Sequence, residues 1–324
     1  MNKQSLLYLS KADVAQVGLD IHTVLKLVER AFHEKAAAKV EMPSKIGIHT
    51  MPDAFIHAMP AFIPGMEASG IKWVSSFPTN LSRGLPNIQG LIVLNDIETG
   101  VPLAVMDCTW ITAYRTGAAS ALSARFLAKP DNRTAGIIAC GAQGKTNLEA
   151  LAAVFPLERA YVYDTSREAQ EKYVAEMSTR LGLEVVGVQS PRQAVEGMDL
   201  VVTSGPIQRK AEPTIEAGWL KPGAFASSVD FGSYWTNASL VEMEQIATDD
   251  LAQFQFYRGL GYFDHVPEPY TDLAELVSGR VQGRLSDEAR TFAINLGLAL
   301  EDMAVAPQVY RKAKEMGIGT WLDL

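Results

Sequence analysis

The chain has 324 residues and a formal net charge of −8 at pH 7, with 48% hydrophobic and 20% charged residues. This length favours two domains, and the acidic balance without a basic cluster argues against a nucleic-acid partner. No apolar stretch approaches the roughly 20 residues that a membrane span needs. Residues 1–5 lack the features of a signal peptide, and two cysteines, Cys108 and Cys140, suit a reducing compartment. These observations predict a cytoplasmic protein.

The first third of the chain predicts an α+β domain. Residues 6–38 begin with a short strand, continue with Ser10 as a helix cap, and then show apolar residues at helical spacing. Between residues 43 and 106, short apolar runs lie between Pro, Gly and Asn signals, which is typical of a β-rich sheet. Residues 107–128 are rich in Ala and Leu and predict a helix.

Strands and helices alternate through the rest of the chain. The predicted strands cover residues 135–140, 160–164, 184–188, 199–203 and 224–230, and the helices between them cover 167–181 and 191–196. Nearly continuous apolar runs of this length suit parallel strands that are buried on both faces. The predicted fold class is therefore α/β, with a Rossmann-type doubly wound parallel sheet. Residues 286–316 predict one long helix.

A glycine turn follows the first strand of this alternating region. Gly141 and Gly144 occupy the second and third glycine positions of the G-x-G-x-x-G pattern, and Ala139 occupies the first. Small residues at a helix N-terminus let backbone N–H groups approach a pyrophosphate. Alanine at the first position costs little if the turn avoids positive φ there. A glycine turn in an α/β fold that binds no nucleotide is the alternative.

An acid ends the next predicted strand, as dinucleotide binding requires. Asp164 lies 20 residues after Gly144, and a carboxylate there accepts hydrogen bonds from a ribose 2′-OH but repels a 2′-phosphate. This favours NAD over NADP, although Arg167 just beyond keeps NADP as an alternative. The residues predicted to bind the cofactor are Thr116, Gly141, Ala142, Gln143, Gly144, Asp164, Thr165, Thr203 and Ser204.

Several short segments of the sequence resemble motifs of the ornithine cyclodeaminase and mu-crystallin family. They include Met59-Pro60-Ala61, Gly70-Ile71-Lys72, Glu98-Thr99-Gly100, Arg115-Thr116-Gly117-Ala118, Gly141-Ala142-Gln143-Gly144 and Gly297-Leu298-Ala299-Leu300-Glu301-Asp302. The family contains NAD(P)-dependent amino-acid and ketimine reductases, alanine dehydrogenases and cyclodeaminases. The resemblance implies a second, α+β domain for substrate binding and dimerisation, made of residues 1–115 and 296–324. The dinucleotide-binding domain would then comprise residues 116–295.

Four side chains before the nucleotide domain are candidates for chemistry. Lys72 lies in an apolar run; the residues alone leave open whether it faces water, but by resemblance it is the active-site lysine. Arg115 has the guanidinium fork that matches a carboxylate, and by resemblance it holds the substrate α-carboxylate. Lys45 stands where the family usually has arginine. By resemblance, His57 occupies a position where the cyclodeaminases carry an acid, and the absence of that acid disfavours ornithine as substrate. The alternative for His57 is a structural role in the core.

Asp230 is the last residue of the last predicted strand of the alternating region. By resemblance it is the proton-transfer group next to the substrate nitrogen, and a helix-capping role is the alternative. The residues after it, Phe231-Gly232-Ser233-Tyr234-Trp235, depart from the Pro-Gly-Lys-like phrase of the family and are expected to shape substrate choice. The scattered histidines show no metal-ligand spacing, so no metal is predicted.

The predicted function is that of an NAD(P)-dependent oxidoreductase that reduces a small imino acid to an amino acid, or catalyses the reverse dehydrogenation. Lys72 and Asp230 would be catalytic, and Lys45, His57 and Arg115 would bind the substrate. The pocket would hold the cations Lys45, Lys72 and Arg115, and His57 would join them below about pH 6.5. Such a positive field favours a substrate with a second acidic group. A cyclodeaminase that releases ammonia and a nonenzymatic, mu-crystallin-like binding protein are the alternatives. Exposed sheet edges favour a homodimer.

Overall fold

A computed structural model of the protein describes residues 4–208 and 212–324. The chain divides into two compact units, Met1–Arg115 with Leu298–Leu324 and, between them, Thr116–Gly297. The second boundary lies two residues beyond the predicted 295/296 position. Residues 1–3, which entered the argument against a signal peptide, lie outside the described residues. Within the described ranges, no helix is long and apolar enough to cross a membrane.

The strands of the described chain form two sheets. In chain order the strands are β1 (Ser5–Leu9), β2 (Ile46–Met51), β3 (Ala54–Ile63), β4 (Ala68–Ser76), β5 (Ile88–Asn95), β6 (Pro102–Asp107), β7 (Thr134–Ile138), β8 (Arg159–Tyr163), β9 (Glu184–Gly187), β10 (Leu200–Thr203), β11 (Phe225–Ser228), β12 (Gln245–Thr248), β13 (Thr271–Asp272), β14 (Thr291–Ile294) and β15 (Thr320–Asp323). The α-helices are α1 (Lys11–Val17), α2 (Ile21–Ala36), α3 (Thr109–Leu127), α4 (Ala142–Val154), α5 (Arg167–Leu181), α6 (Pro191–Val195), α7 (Asn237–Val241), α8 (Leu251–Gly259), α9 (Leu273–Val277) and α10 (Ala299–Met316).

The first unit contains a seven-stranded sheet in the order β15-β1-β6-β5-β4-β3-β2. All neighbouring pairs are antiparallel except β1 and β6. Side chains alternate between the two faces of a strand, so Gly70, Lys72 and Val74 of β4 share one face. A β-carbon on Gly70 would lie 3.1 Å from the sulfur of Met303, which identifies this face as the one that packs on α10. The predicted cap at Ser10 is confirmed, because Ser10 and Asp13 form a capping box.

The second unit contains an eight-stranded sheet in the order β13-β12-β14-β11-β10-β7-β8-β9, with every neighbouring pair parallel. The strand order reverses between β7 and β10, which is the switch point where doubly wound sheets bind ligands. The predicted fold class is confirmed, and the predicted helix at residues 167–181 matches α5.

The prediction of one long helix over residues 286–316 is wrong in its first half. Thr291–Ile294 forms β14, a fully buried strand between β11 and β12, and α10 begins at Ala299. An apolar run of four residues does not distinguish a buried strand from a helical turn by periodicity. The strand before Asp230 is also shorter than predicted, because β11 ends at Ser228 and Asp230 lies in the turn beyond it.

Candidate active site

Lys72 is buried in the first unit and forms an ion pair. Only 1% of its surface is exposed, and its Nζ lies 2.6 Å from Oδ2 of Asp302. Nζ also donates to the Thr112 hydroxyl at 3.4 Å. The alternative that Lys72 faces water is therefore wrong: the alternation of β4 directs it toward α10. Burial, followed by the charge of Arg115, lowers the pKa of Lys72.

Arg115 forms the second ion pair of this cluster. Its Nη1 lies 2.5 Å from Oε2 of Glu301, and its Nε lies 3.2 Å from Oδ1 of Asp302. Both acids are fully buried in the first turn of α10, where the helix dipole favours negative charge. Burial raises the pKa of Glu301, and the charge of Arg115 opposes that rise.

The role of these two acids is absent from the sequence predictions. The phrase Gly297-Leu298-Ala299-Leu300-Glu301-Asp302 entered only as a family resemblance. The available signal was two adjacent acids inside an apolar helical stretch, which require cationic partners if the helix is buried on all sides. Lys72 and Arg115 were already candidate cations, so the four residues could have been paired.

Lys45 and His57 are also buried in the first unit. Lys45 is buried directly before β2, and His57 is buried in β3, where its ring stacks on Phe55 with centroids 4.0 Å apart. Burial, then the charges of Lys45, His49 and Lys72, lowers the pKa of His57 to about 3. The expectation that His57 becomes cationic below about pH 6.5 is therefore wrong. Its desolvated ring stays neutral beside cations, so it contributes no charge for a second acidic group.

The two cysteines are poor nucleophiles. Burial raises the pKa of Cys108 to about 11 and that of Cys140 to about 12. Thiolates, not thiols, react as nucleophiles, so neither side chain carries chemistry at neutral pH.

The second unit brings the predicted glycine turn to the carboxyl edge of its sheet. Gly141 caps α4 with a φ of −82°, and a β-carbon there would meet no protein atom within 4 Å. No internal contact thus requires glycine at this position; the space lies open at the helix N-terminus. A β-carbon on Gly144 would lie 2.2 Å from the carbonyl oxygen of Ala139, so Gly144 is needed for the strand and helix to pack closely. These are the two roles that glycines play around a pyrophosphate.

The other predicted cofactor residues surround this turn. Asp164 accepts from the Cys140 backbone N–H at 2.7 Å and from that of Ser166 at 2.8 Å. Within the described residues, the buried side-chain oxygen of Gln143 has no hydrogen-bond partner, so it retains an acceptor for a ligand. Of the remaining positions, Ala142 and Thr165 are exposed and Thr116 is buried on α3. The Ser204 hydroxyl donates to the carbonyl oxygens of Ile138 and Ala139. This donor set fits a dinucleotide.

The backbone conformation at the first glycine position of the motif differs from the predicted one. Ala139 adopts a φ of +77°, a left-handed conformation that the prediction assumed to be avoided. We expect Ala139→Gly to raise the free energy of unfolding by about 0.5 kcal/mol, because relief of a ~1–2 kcal/mol strain exceeds the ~0.5–1 kcal/mol entropic cost of glycine. Urea denaturation measures this difference.

The control for this variant is Ala153→Gly in α4, where the backbone is helical. That substitution should lower the free energy of unfolding by up to ~1 kcal/mol. Equal destabilisation by both substitutions would show that Ala139 is not strained.

Asp230 is fully buried in the turn after β11. Its Oδ1 accepts from the Ser228 hydroxyl at 2.7 Å and from the Thr203 hydroxyl at 3.1 Å. Thr203, predicted to bind cofactor, thus directs its hydroxyl to Asp230. Burial raises the pKa of Asp230 to about 6, against the lowering effect of the two hydroxyls. A carboxyl group with such a pKa can take up and release a proton near neutral pH.

The residue after Asp230 has an unusual backbone conformation. Phe231 adopts a φ of +58°, and its ring packs within 5.1–5.7 Å of the rings of Tyr257, Tyr262 and Phe263. A bulky residue in this region is strained, and such strain persists only where surrounding packing enforces it. The aromatic cluster therefore holds the turn that carries Asp230.

Comparisons with known proteins identify the family to which this chain belongs. Residues 7–317 match the model of the ornithine cyclodeaminase/mu-crystallin family. The nodulation efficiency protein NfeD of Rhizobium meliloti is 34% identical over 97% of this chain and 97% of its own length. Δ1-pyrroline-2-carboxylate reductase of Thermococcus litoralis, solved with NADH and L-proline, is 34% identical with a TM-score of 0.88, over 97% of this chain and 99% of that one. An archaeal alanine dehydrogenase dimer with bound NAD is 31% identical with a TM-score of 0.84, over 99% of this chain and 100% of that one. The chain belongs to the ornithine cyclodeaminase/mu-crystallin family.

Proposed function

We propose that this protein is an NAD-dependent oxidoreductase that reduces a small imino acid with a single carboxylate and an uncharged side chain or ring. The reverse reaction oxidises the corresponding amino acid. The main support for this substrate class is that Lys72 and Arg115 form ion pairs with two buried acids, Asp302 and Glu301. The reductase of T. litoralis with L-proline, a cyclic amino acid of this class, is a relative that supports the proposal.

The charges of the first unit favour one carboxylate rather than two. Lys45, Lys72 and Arg115 are three buried cations, and Glu301 and Asp302 are two buried acids in contact with two of them. At most one positive charge is therefore left uncompensated by these acids, and His57 adds none. Because burying a second, unpaired carboxylate is costly, this cluster disfavours an iminodicarboxylate. The earlier expectation of a second acidic group in the substrate is replaced.

Residues of the second unit would hold the cofactor. The open space at Gly141 and the N-terminus of α4 suit the pyrophosphate, and Asp164 suits the adenosine ribose of NAD rather than NADP. Gln143, Ser204 and the other predicted positions complete this set. When bound, NADH supplies the hydride that reduces the imine carbon.

The catalytic roles follow from the two sites. Arg115 and Lys45 bind the substrate carboxylate, and Lys72 supplies a buried positive charge beside it. Asp230 gives a proton to the substrate nitrogen during reduction and takes one during oxidation. Its raised pKa, about 6, suits both directions near neutral pH.

The cyclodeaminase alternative is less well supported. Ornithine carries a second ammonium group, which needs an anionic partner in the pocket. His57 is neutral and stands among cations, so it is a poor neighbour for that group. A nonenzymatic binding role would not account for a buried carboxyl group whose pKa is raised to about 6, as that of Asp230 is.

A steady-state assay tests the proposal. In separate reactions followed at the nicotinamide absorbance, purified protein would be given Δ1-pyrroline-2-carboxylate with NADH, an acyclic iminodicarboxylate with NADH, and ornithine with NAD⁺. We expect the highest kcat/KM for the monocarboxylate. A higher value for the dicarboxylate would contradict the charge argument, and ammonia release from ornithine without net change in NADH would support the cyclodeaminase.

We also propose that the protein is a cytoplasmic homodimer, formed through the first unit. Free, buried Cys108 and Cys140 suit a reducing compartment. The sheet face opposite α10 is apolar and partly exposed, with Ile46, Trp73 and Leu91 exposed by 65%, 48% and 42%. Contiguous apolar faces of this kind mark subunit interfaces, and the archaeal alanine dehydrogenase relative is a dimer.

We expect Trp73→Glu to convert the dimer into a monomer, because it places a charge in the centre of this apolar face. Sedimentation velocity at micromolar concentration measures the change in mass. The matched control is Val241→Glu, which alters a 73% exposed apolar residue of the second unit and should leave the dimer intact. A wild-type monomer, or a Trp73→Glu dimer, would contradict the proposed interface.

A further inference from the structure

The two carboxylate oxygens of Asp230 have different environments. Oδ1 receives two hydroxyl hydrogen bonds, from Ser228 at 2.7 Å and from Thr203 at 3.1 Å. Oδ2 is buried and has no hydrogen-bond partner within residues 4–208 and 212–324. A proton on this carboxyl group therefore has two unequal sites.

The direction of the hydrogen bonds to Oδ1 is determined by a second layer of donors. The indole Nε1 of Trp235 lies 3.1 Å from the Thr203 hydroxyl oxygen, and the Gly232 backbone N–H lies 2.7 Å from the Ser228 hydroxyl oxygen. Indole and amide N–H groups can only donate, so both hydroxyl oxygens act as acceptors on that side. The single proton of each hydroxyl is then directed at Oδ1.

We propose that Oδ2 is the atom of Asp230 that carries and transfers the proton, and that Thr203 and Trp235 are positioning residues that keep the proton off Oδ1. A proton on Oδ1 would meet the hydrogens of both hydroxyls, and one of those hydroxyls would have to turn away. This inference rests on the proposed function, in which Asp230 exchanges a proton with the substrate nitrogen.

The surroundings hold this arrangement in place. Trp235 is 1% exposed, and its ring packs edge-on against Phe292 with centroids 4.9 Å apart. The Ser233 hydroxyl donates to the Asp230 carbonyl oxygen at 2.6 Å, which tightens the turn. The indole N–H therefore has little freedom to leave Thr203.

Among the described residues of the second unit, Tyr234 is a titratable neighbour of Asp230. The charges of Asp230 and Asp164, after burial, raise the pKa of the Tyr234 hydroxyl, so it stays protonated at neutral pH. The backbone N–H groups of Gly205 and Asp230 also lower the pKa of Asp230, but within the described residues neither lies in hydrogen-bonding geometry to Oδ2. A change in the pH profile upon loss of one hydroxyl thus reports on Asp230 itself.

Thr203→Val tests the inference, because it keeps the shape of the side chain and removes one donor to Oδ1. Without that donor the carboxylate is less stable, and the pKa of Asp230 rises. We expect the ionisation in the pH profile of kcat/KM to move upward by about one pH unit, in both imine reduction and amino-acid oxidation. Reduction would then persist to higher pH, and oxidation would begin at higher pH.

Trp235→Phe should shift the same ionisation in the same direction but by less, since the Thr203 hydroxyl is kept but is free to turn. The matched control is Thr248→Val, at a buried threonine whose hydroxyl donates to the Ile294 carbonyl oxygen at 3.0 Å. This control should leave the pH profile unchanged. Lower rates with an unshifted profile in Thr203→Val would overturn the proposal.

An infrared titration separates this inference from the proposed function. The carboxyl band that is lost in Asp230→Asn reports the protonation of Asp230 in the absence of any substrate. We expect its midpoint to rise in Thr203→Val and to stay unchanged in Thr248→Val, even if no imino acid is reduced. An unmoved midpoint in Thr203→Val would contradict the role of Thr203, whereas absence of turnover in the wild type would contradict only the enzymatic function.

Discussion

Replacing Asp230 with asparagine is expected to lower kcat/KM for imine reduction by at least ~10²-fold, the range for a lost acid–base group. The amide oxygen of the new side chain can still accept from Ser228 and Thr203, so the turn keeps its hydrogen bonds. The amide cannot exchange a proton with the substrate nitrogen. Steady-state kinetics measures the loss, and fluorescence titration with NADH measures cofactor binding, which should stay near the wild-type value.

The stability of the same variant provides its control. Burial raises the folded-state pKa of Asp230 to about 6, from an ordinary value of 3.8. A raised acid pKa means that ionisation costs stability as the pH rises through this interval. At pH 8 the asparagine variant should therefore be at least as stable as the wild type. Reduced stability together with reduced activity would indicate a structural defect, and unchanged kcat/KM would remove Asp230 from the mechanism.

Arg115→Met is expected to destabilise the protein by about 3–5 kcal/mol at pH 8, the usual cost of breaking a buried ion pair. It leaves Glu301 fully buried without its guanidinium partner and removes one of the two cations near Asp302. In the proposed function the substrate carboxylate also loses one of its ligands, so we expect kcat/KM to fall as well. Urea denaturation from pH 5 to pH 8 measures the change.

The pH dependence of this loss has a definite sign. Burial already raises the pKa of Glu301 above its ordinary value of 4.5, and Arg115 opposes the rise. Without Arg115 the pKa rises further, so protonation of Glu301 reduces the deficit at low pH. The deficit relative to the wild type should therefore grow from pH 5 to pH 8.

Arg125→Met is the matched control, because Arg125 is an exposed residue of the same helix α3. A surface substitution of this kind usually changes the free energy of unfolding by within about 0.5 kcal/mol. If Arg115→Met were equally mild, or if its deficit shrank as the pH rose, the ion pair with Glu301 would not have the role assigned to it.

Much of the fold could be predicted because local patterns and tertiary structure agree. The alternating region from residue 135 identified a parallel sheet, and α5 begins and ends where its polar and apolar residues predict. The strand β14 was missed because a buried run of four residues has no periodicity of its own. Its strand identity comes from pairing with β11 and β12, which are distant in the chain.

The candidate site was predictable in its residue types but not in its charges. Lys72 and Arg115 were identified, whereas their partners Glu301 and Asp302 lie about 190 residues beyond Arg115. The protonation of His57 was predicted wrongly, since desolvation and neighbouring cations act through space. Likewise, nothing in the G-x-G-x-x-G pattern indicated that Ala139 adopts positive φ.

Transfer of deuterium from labelled NADH tests the central claim most directly. The wild-type protein would be incubated with a cyclic imino monocarboxylate and NADH that carries deuterium at both C4 positions, and the amino-acid product would be analysed by NMR and mass spectrometry. We expect deuterium on the carbon that bears the nitrogen and the carboxylate, with one NADH oxidised for each amino acid formed. Product without deuterium at that carbon, or no oxidation of NADH by any imino acid, would contradict the assignment of this protein as an NAD-dependent imino-acid reductase.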